Sequence, residues 1–92
     1  MVRNPLTPEQ LAAGRRLGRL LRDARAGRDL THVAHSAGIS PETLRKIETG
    51  RLPSPAFGTI ACLCDVLDLP IQDLAAQWRD TLRPAPIAAT GA

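Results

Sequence analysis

Few residues in this 92-residue chain could do chemistry on their own. His32 and His35, spaced i, i+3, could face one metal ion from one side of a helix, yet no third ligand stands near them, and solvent-facing imidazoles are the plainer reading. Cys62 and Cys64 are too close along one segment for a stapling disulfide. On a helix they point about 160° apart, so they share no metal; Cys64 reads as core and Cys62 as surface. No nucleophile stands with a base and an orienting third group, and no glycine-rich phosphate loop occurs. Catalysis, a metal and a cofactor are therefore not expected. A different set holds more information: Glu42, Arg45, Lys46 and Thr49 fall on one side of a helix and give it a short polar face of mixed charge. Glu42 and Lys46 are spaced i, i+4 and could simply pair with each other.

The surroundings of that face are basic. Residues 1–51 hold ten arginines and lysines against five acidic residues, a net +5, whereas residues 52–92 hold two against four, a net −2. A basic N-terminal half and a sequence pI of 9.7 suit a polyanionic partner, of which phosphate backbones are the commonest. Hydrophobic residues make up 43% of the chain and no apolar run nears the ~20 residues of a membrane span. The expectation is a soluble cytoplasmic protein without a signal peptide or a membrane partner.

Helices must position these residues, because aromatic residues are limited to Phe57 and Trp78 and β-branched residues show no alternation that would support strands. A first helix fits Pro8 to about Arg25, with Thr7 as N-cap, Pro8 at the first helical position, Gln10 completing a capping box and Gly27 ending it. Ala13, Leu17, Leu20, Leu21 and Ala24 form its apolar face, and Arg15, Arg19 and Arg22 project from the other side. Asp29 caps a second helix, Leu30 to Ala37, closed by Gly38. Ser40 caps a third, Pro41 to about Thr49, stopped by Gly50, with Leu44 and Ile47 turned inward. After a proline-fixed connection, Phe57, Ile60, Cys64 and Leu67 define a fourth helix, broken at Asp68 to Pro70. Ile71, Leu74, Ala75 and Trp78 define a fifth, ending before Pro84. Residues 7–82 are thus read as one all-α domain between short tails, 1–6 and 83–92.

A helix, the turn Ala37-Gly38-Ile39-Ser40 and a capped second helix is the pattern of a helix-turn-helix. The run Asp29–Ser40, its continuation Thr43-Leu44-Arg45-Lys46-Ile47-Glu48-Thr49-Gly50-Arg51, and the later Val66-Leu67-Asp68-Leu69 and Ile71-Gln72-Asp73-Leu74 together resemble the phage-repressor (Cro and xenobiotic-response-element) family, over roughly residues 15–78. The resemblance implies a compact five-helix, lambda-repressor-like fold in a bacterial transcription regulator. It also implies a homodimer on double-stranded DNA with the third helix in the major groove.

Carried over by position, the DNA-binding residues are Thr31, Ser40, Pro41, Glu42, Thr43, Arg45, Lys46, Thr49 and Arg51. Pro41, Glu42 and Lys46 fall on base-reading positions; Thr43 and the start of the second helix at Leu30 fall on phosphate positions, flanked by Arg45 and Arg51. Glu42 could accept from a cytosine amino group, and Lys46 or Arg45 could donate to guanine. Two departures stand out: Leu30 replaces a glutamine that many members carry, and Pro41 offers no side-chain donor.

Other residues have structural readings. The resemblance implies that Glu48, at the edge of the buried face, pairs with an arginine of the first helix, here Arg22 or Arg25, and a half-buried carboxylate needs such a partner. The Arg15, Arg19, Arg22 stripe reads as a solvated face, with phosphate contact near the helix start as the alternative. Trp78, Leu74 and Ile71, with Leu11 and Leu82, read as core packing or as a dimer surface. The rival function is a protein-interaction module, an adapter or antitoxin on the same fold, suggested by the weakened donor set at Leu30 and Pro41.

Overall fold

The computed structural model describes residues 5–82. Five helices follow one another: α1 (Pro8–Arg25), α2 (Leu30–Ser36), α3 (Pro41–Glu48), α4 (Phe57–Leu67) and α5 (Ile71–Leu82), with no strand among the described residues. The expected tails lie outside those residues except for Pro5 and Leu6, which are exposed and non-helical.

Each start signal acts as its chemistry requires. Thr7 accepts from the Gln10 amide at 3.1 Å while the Gln10 side chain accepts from the Thr7 amide at 2.8 Å, a complete capping box with Pro8 behind it. Asp29 caps α2 through the His32 amide, and Ser40 caps α3 through the Thr43 amide. Gly38 (φ 78°) and Gly50 (φ 80°) end α2 and α3 in the left-handed conformation that glycine adopts without cost.

The end of α1 differs from expectation. Gly27 does not supply the positive φ; Ala26 does, at φ 55° and ψ −128°. The Arg28 amide donates to the Arg25 carbonyl at 3.0 Å, so Ala26 and Gly27 are the central pair of a four-residue turn whose first central residue needs the positive φ.

Leu21, Leu44, Ile47, Leu63 and Val33 are the largest fully buried side chains, and Leu17, Ile60, Leu67 and Leu74 extend the core around them. Leu63, absent from the expected set, sits at its centre because α4 buries the i, i+3, i+4, i+7 pattern Ile60, Leu63, Cys64, Leu67. Phe57, read as the first residue of the apolar pattern that defines this helix, is 75% exposed. As the first residue of α4, with its Cα–Cβ bond tilted toward the helix start, it projects past the edge of the core. α1 packs on α3 and α5, and α2 packs on α3 and α4, which leaves the outer face of α3 uncovered.

Two glycines set the α1–α3 contact. A Cβ on Gly18 would collide with the carbonyl oxygen of Ile47, and one on Gly14 would collide with Pro53, so α1 lies directly on the end of α3 and the segment after it. Mid-helix glycine costs roughly 0.5–1 kcal/mol relative to alanine, and here the close approach is what it permits.

Candidate nucleic-acid interface

The helix-turn-helix is built by a short chain of backbone bonds. The Ala37 amide donates to Val33 and Ala34, Gly38 to His35, and Ile39 to the Ala34 carbonyl at 3.0 Å. Ile39 packs half-buried against the core, which fixes the exit direction, and Ser40 then starts α3. Leu44 and Ile47 are fully buried, so the same helical period turns Glu42, Arg45 and Thr49 to solvent and leaves Lys46 and Pro41 half-covered.

Two hydroxyls guard the start of α3. Ser40 Oγ and Thr43 Oγ1 lie 2.8 Å apart, and the Thr43 amide donates to Ser40 Oγ at 3.1 Å. One hydroxyl proton fills the shared bond, and the other can be offered outward to an acceptor such as a phosphate oxygen. Thr49 is arranged differently: its hydroxyl donates to the Arg45 carbonyl at 2.8 Å, so its proton is engaged within α3. Lys46 Nζ is 3.8 Å from Glu42 Oε2, with side chains 42% and 74% exposed. An exposed pair of this length contributes about 0–1 kcal/mol, so either group can leave the other for a better partner.

The start of α2 is closed electrostatically. Asp29 places a carboxylate at the end where helix amides would otherwise attract an anion, and Thr31 is exposed beside it. The other end of the motif is positive: Arg51, beyond Gly50, is exposed, and Arg45 is exposed one turn earlier. Neither makes an ion pair among the described residues.

Behind α3, Arg25 holds it in place. Arg25 Nε donates to Glu48 Oε2 at 2.7 Å and Nη2 donates to Glu48 Oε1 at 2.9 Å, while Nη1 donates to the Arg28 carbonyl at 2.8 Å. Of the two arginines the sequence offers as partners for Glu48, this is the one; Arg22 is exposed. The hydrogen bond with Glu48 is the main cause holding the guanidinium above its ordinary pKa. Arg28, in turn, donates to the Val66 carbonyl of α4 at 3.2 Å, a link without a sequence signal of its own. Gly14 and Gly18 were likewise missed; glycines four apart inside a well-capped helix were the available sign of a close backbone approach.

Away from this face, Leu17, Phe57, Ile60, Leu74 and Trp78 line an open apolar cleft of about 280 Å³ between α1, α4 and α5. His32 and His35 are exposed on α2, and among the described residues no group of three or more His, Cys, Asp or Glu side chains could hold a metal ion. Cys64 is buried and Cys62 exposed. No helix of the described residues is long and apolar enough to cross a membrane.

Comparison with known proteins agrees with this geometry. A family model described as a helix-turn-helix domain matches residues 16–78, from the first half of α1 into α5. No curated protein matches the chain.

Proposed function

The chain belongs to the helix-turn-helix domain family, a family of domains like those of the phage repressors, and from that premise we propose that it is a sequence-specific regulator of transcription acting on double-stranded DNA. The observation that carries this reading is the uncovered outer face of α3, where Glu42 and Arg45 stand in solvent and Lys46 is half-covered beside them, while Leu44, Ile47 and Glu48 anchor the helix from behind. An α-helix with its side chains is about 10–12 Å across, which a major groove about 12 Å wide admits.

In the groove, Lys46 or Arg45 donates to guanine O6 and N7, and Glu42 accepts from a cytosine N4 amino group. The loose Glu42–Lys46 pair opens when each finds its base edge. Whichever of the Ser40 and Thr43 hydroxyls keeps a free proton, together with Arg51, takes phosphate oxygens and fixes the register, and Thr31 borders the backbone at the start of α2. Pro41 sets the direction of α3 without a side-chain donor. Catalysis has no part in this reading; domains of this family typically bind and do not react.

Two copies would join through the cleft edge at Phe57, Ile71 and Trp78 to read paired half-sites, and the protein would work at the nucleoid in the cytoplasm. Leu11 is exposed on α1 and is not part of the cleft lining. The folded unit we assign is residues 7–82.

One observation favours a second reading. Asp29 at the head of α2 presents a carboxylate where a phosphate would lie, and Leu30 beside it packs against the core and offers no donor, which suits a protein-interaction module better than a DNA reader. Retention of duplex DNA by the purified chain as salt is raised from 50 to 200 mM separates the two. A regulator contacting several phosphates loses affinity by orders of magnitude across about that range. A chain that retains no duplex even at low salt contradicts the DNA reading.

A further inference from the structure

We infer that Arg15, on α1, is a phosphate-binding residue of the DNA interface, held there by the contact between α1 and the end of α3; the inference rests on the DNA-binding reading above. Arg15 Cγ lies 2.7 Å from the position a Cβ would take on Gly50, and Arg15 Cα lies 3.5 Å from it. The aliphatic stem therefore lies over the backbone of the turn between Thr49 and Arg51, in space that only glycine leaves open.

The placement is rigid. On either side of Arg15, Gly14 meets Pro53 and Gly18 meets the Ile47 carbonyl, so this part of α1 cannot slide or roll relative to α3. A guanidinium carried on such a helix keeps its position without the entropy cost of ordering a loop. Arg15 is exposed and, among the described residues, makes no ion pair, unlike Arg25 and Lys46. Its planar fork suits two oxygens of one phosphate.

The charge layout favours this end of the motif. Asp29 makes the start of α2 unfavourable for a phosphate, whereas at the Gly50 turn Arg15 lies over the backbone and the next residue, Arg51, is exposed. The arginine stripe of α1 is thus not one surface. Arg19 lies about 6 Å further along the axis, beyond the Gly18 contact, and lines a groove between α1 and α5 with Arg16, Asp23 and Gln77. Arg22 is about 10 Å along.

The test measures binding of the full chain to a duplex selected by the wild-type protein, at several salt concentrations, for wild type, Arg15→Gln, Arg15→Lys and Arg19→Gln. Glutamine keeps the carbons that cover Gly50, and an unchanged thermal midpoint verifies that the fold is kept. Arg15→Gln is expected to weaken binding about three- to tenfold near 100 mM salt and to flatten the slope of log K against log salt by about 0.9, without changing the selected sequence. Arg15→Lys keeps the slope, and Arg19→Gln changes neither quantity. A slope for Arg15→Gln equal to that of wild type overturns this inference alone. Failure of the wild-type chain to bind any duplex overturns the DNA reading and this inference with it.

Discussion

Arg25 and Glu48 join the last residue of α1 to the last residue of α3 through two parallel hydrogen bonds of 2.7 and 2.9 Å. The carboxylate side chain is 5% exposed and the guanidinium 16%, and the third guanidinium nitrogen holds the Arg28 carbonyl. The pair therefore fixes the angle between the helix that reads and the helix that braces it, and ties both to the turn that leads into α2. Removing Arg25 alone leaves a buried carboxylate without a partner, which costs about 3 kcal/mol. Arg25→Met should lower the unfolding free energy by about that amount, out of a total of roughly 5–14 kcal/mol for this length. The double variant Arg25→Met with Glu48→Leu should recover most of the loss, and denaturant titrations of both variants and of wild type check this. The folded-state pKa of Arg25 is raised, so the stability linked to protonation of Arg25 is fully present below the pKa of the free guanidinium and is lost as the pH rises through the folded value, in strong base.

Gly18 and Gly58 should respond oppositely to the same change. At Gly18 an added methyl meets the Ile47 carbonyl, and the backbone there cannot yield without moving α3; Gly18→Ala should cost about 3 kcal/mol or more. At Gly58, in the first turn of α4, an added methyl meets nothing within 4 Å, and Gly58→Ala should be neutral or stabilise by about 0.5 kcal/mol. Equal effects in thermal melts would show that α1 does not rest on the end of α3.

Ala26 holds a conformation that L-residues rarely adopt, φ 55° with ψ −128°, at the first central position of the turn joining α1 to α2. Glycine there relieves the strain at the expense of a freer unfolded chain, and the balance is a gain of about 0.5–1 kcal/mol. Ala26→Gly should thus raise the melting temperature by a few degrees, and a lowered one would mean that the turn has a different geometry.

Much of this was readable from the residue pattern, for reasons that differ between elements. Thr7, Pro8 and Gln10 specify the start of α1 locally, as Ser40 and Pro41 specify that of α3, because caps are short-range bonds. The α2–α3 turn was legible because Gly38 and Ile39 each do one thing there. What escaped depends on contacts between distant segments: Leu63 at the core centre, Phe57 outside it, and the glycines of α1 resting on Ile47 and Pro53. Ala26 escaped because Gly27 beside it was the obvious residue for a positive φ. In the interface, the solvent-facing period of α3 was readable. The position of Arg15 over Gly50 was not, because nothing along α1 marks which of its arginines meets α3.

The two cysteines offer a chemical check on the core. Cys62 is exposed, whereas burial pushes the Cys64 thiol pKa up and withholds its sulfur from solvent. A thiol reagent should label one cysteine quickly in the native protein and both in denaturant. Fast native labelling of Cys64, located by peptide mapping, would mean that α4 does not turn Leu63 and Cys64 inward.

The central claim is that the outer face of α3 reads base pairs, and selection from randomised duplex DNA by wild type, Lys46→Ala and Arg45→Ala, followed by sequencing, tests it most directly. Wild type should enrich paired half-sites whose centres lie about 10 base pairs, or a multiple of that, apart. At least one variant should relax the preference at a guanine position, by about 1–3 kcal/mol of discrimination. If both variants recover the wild-type sequence with unchanged affinity, α3 is not the reading element.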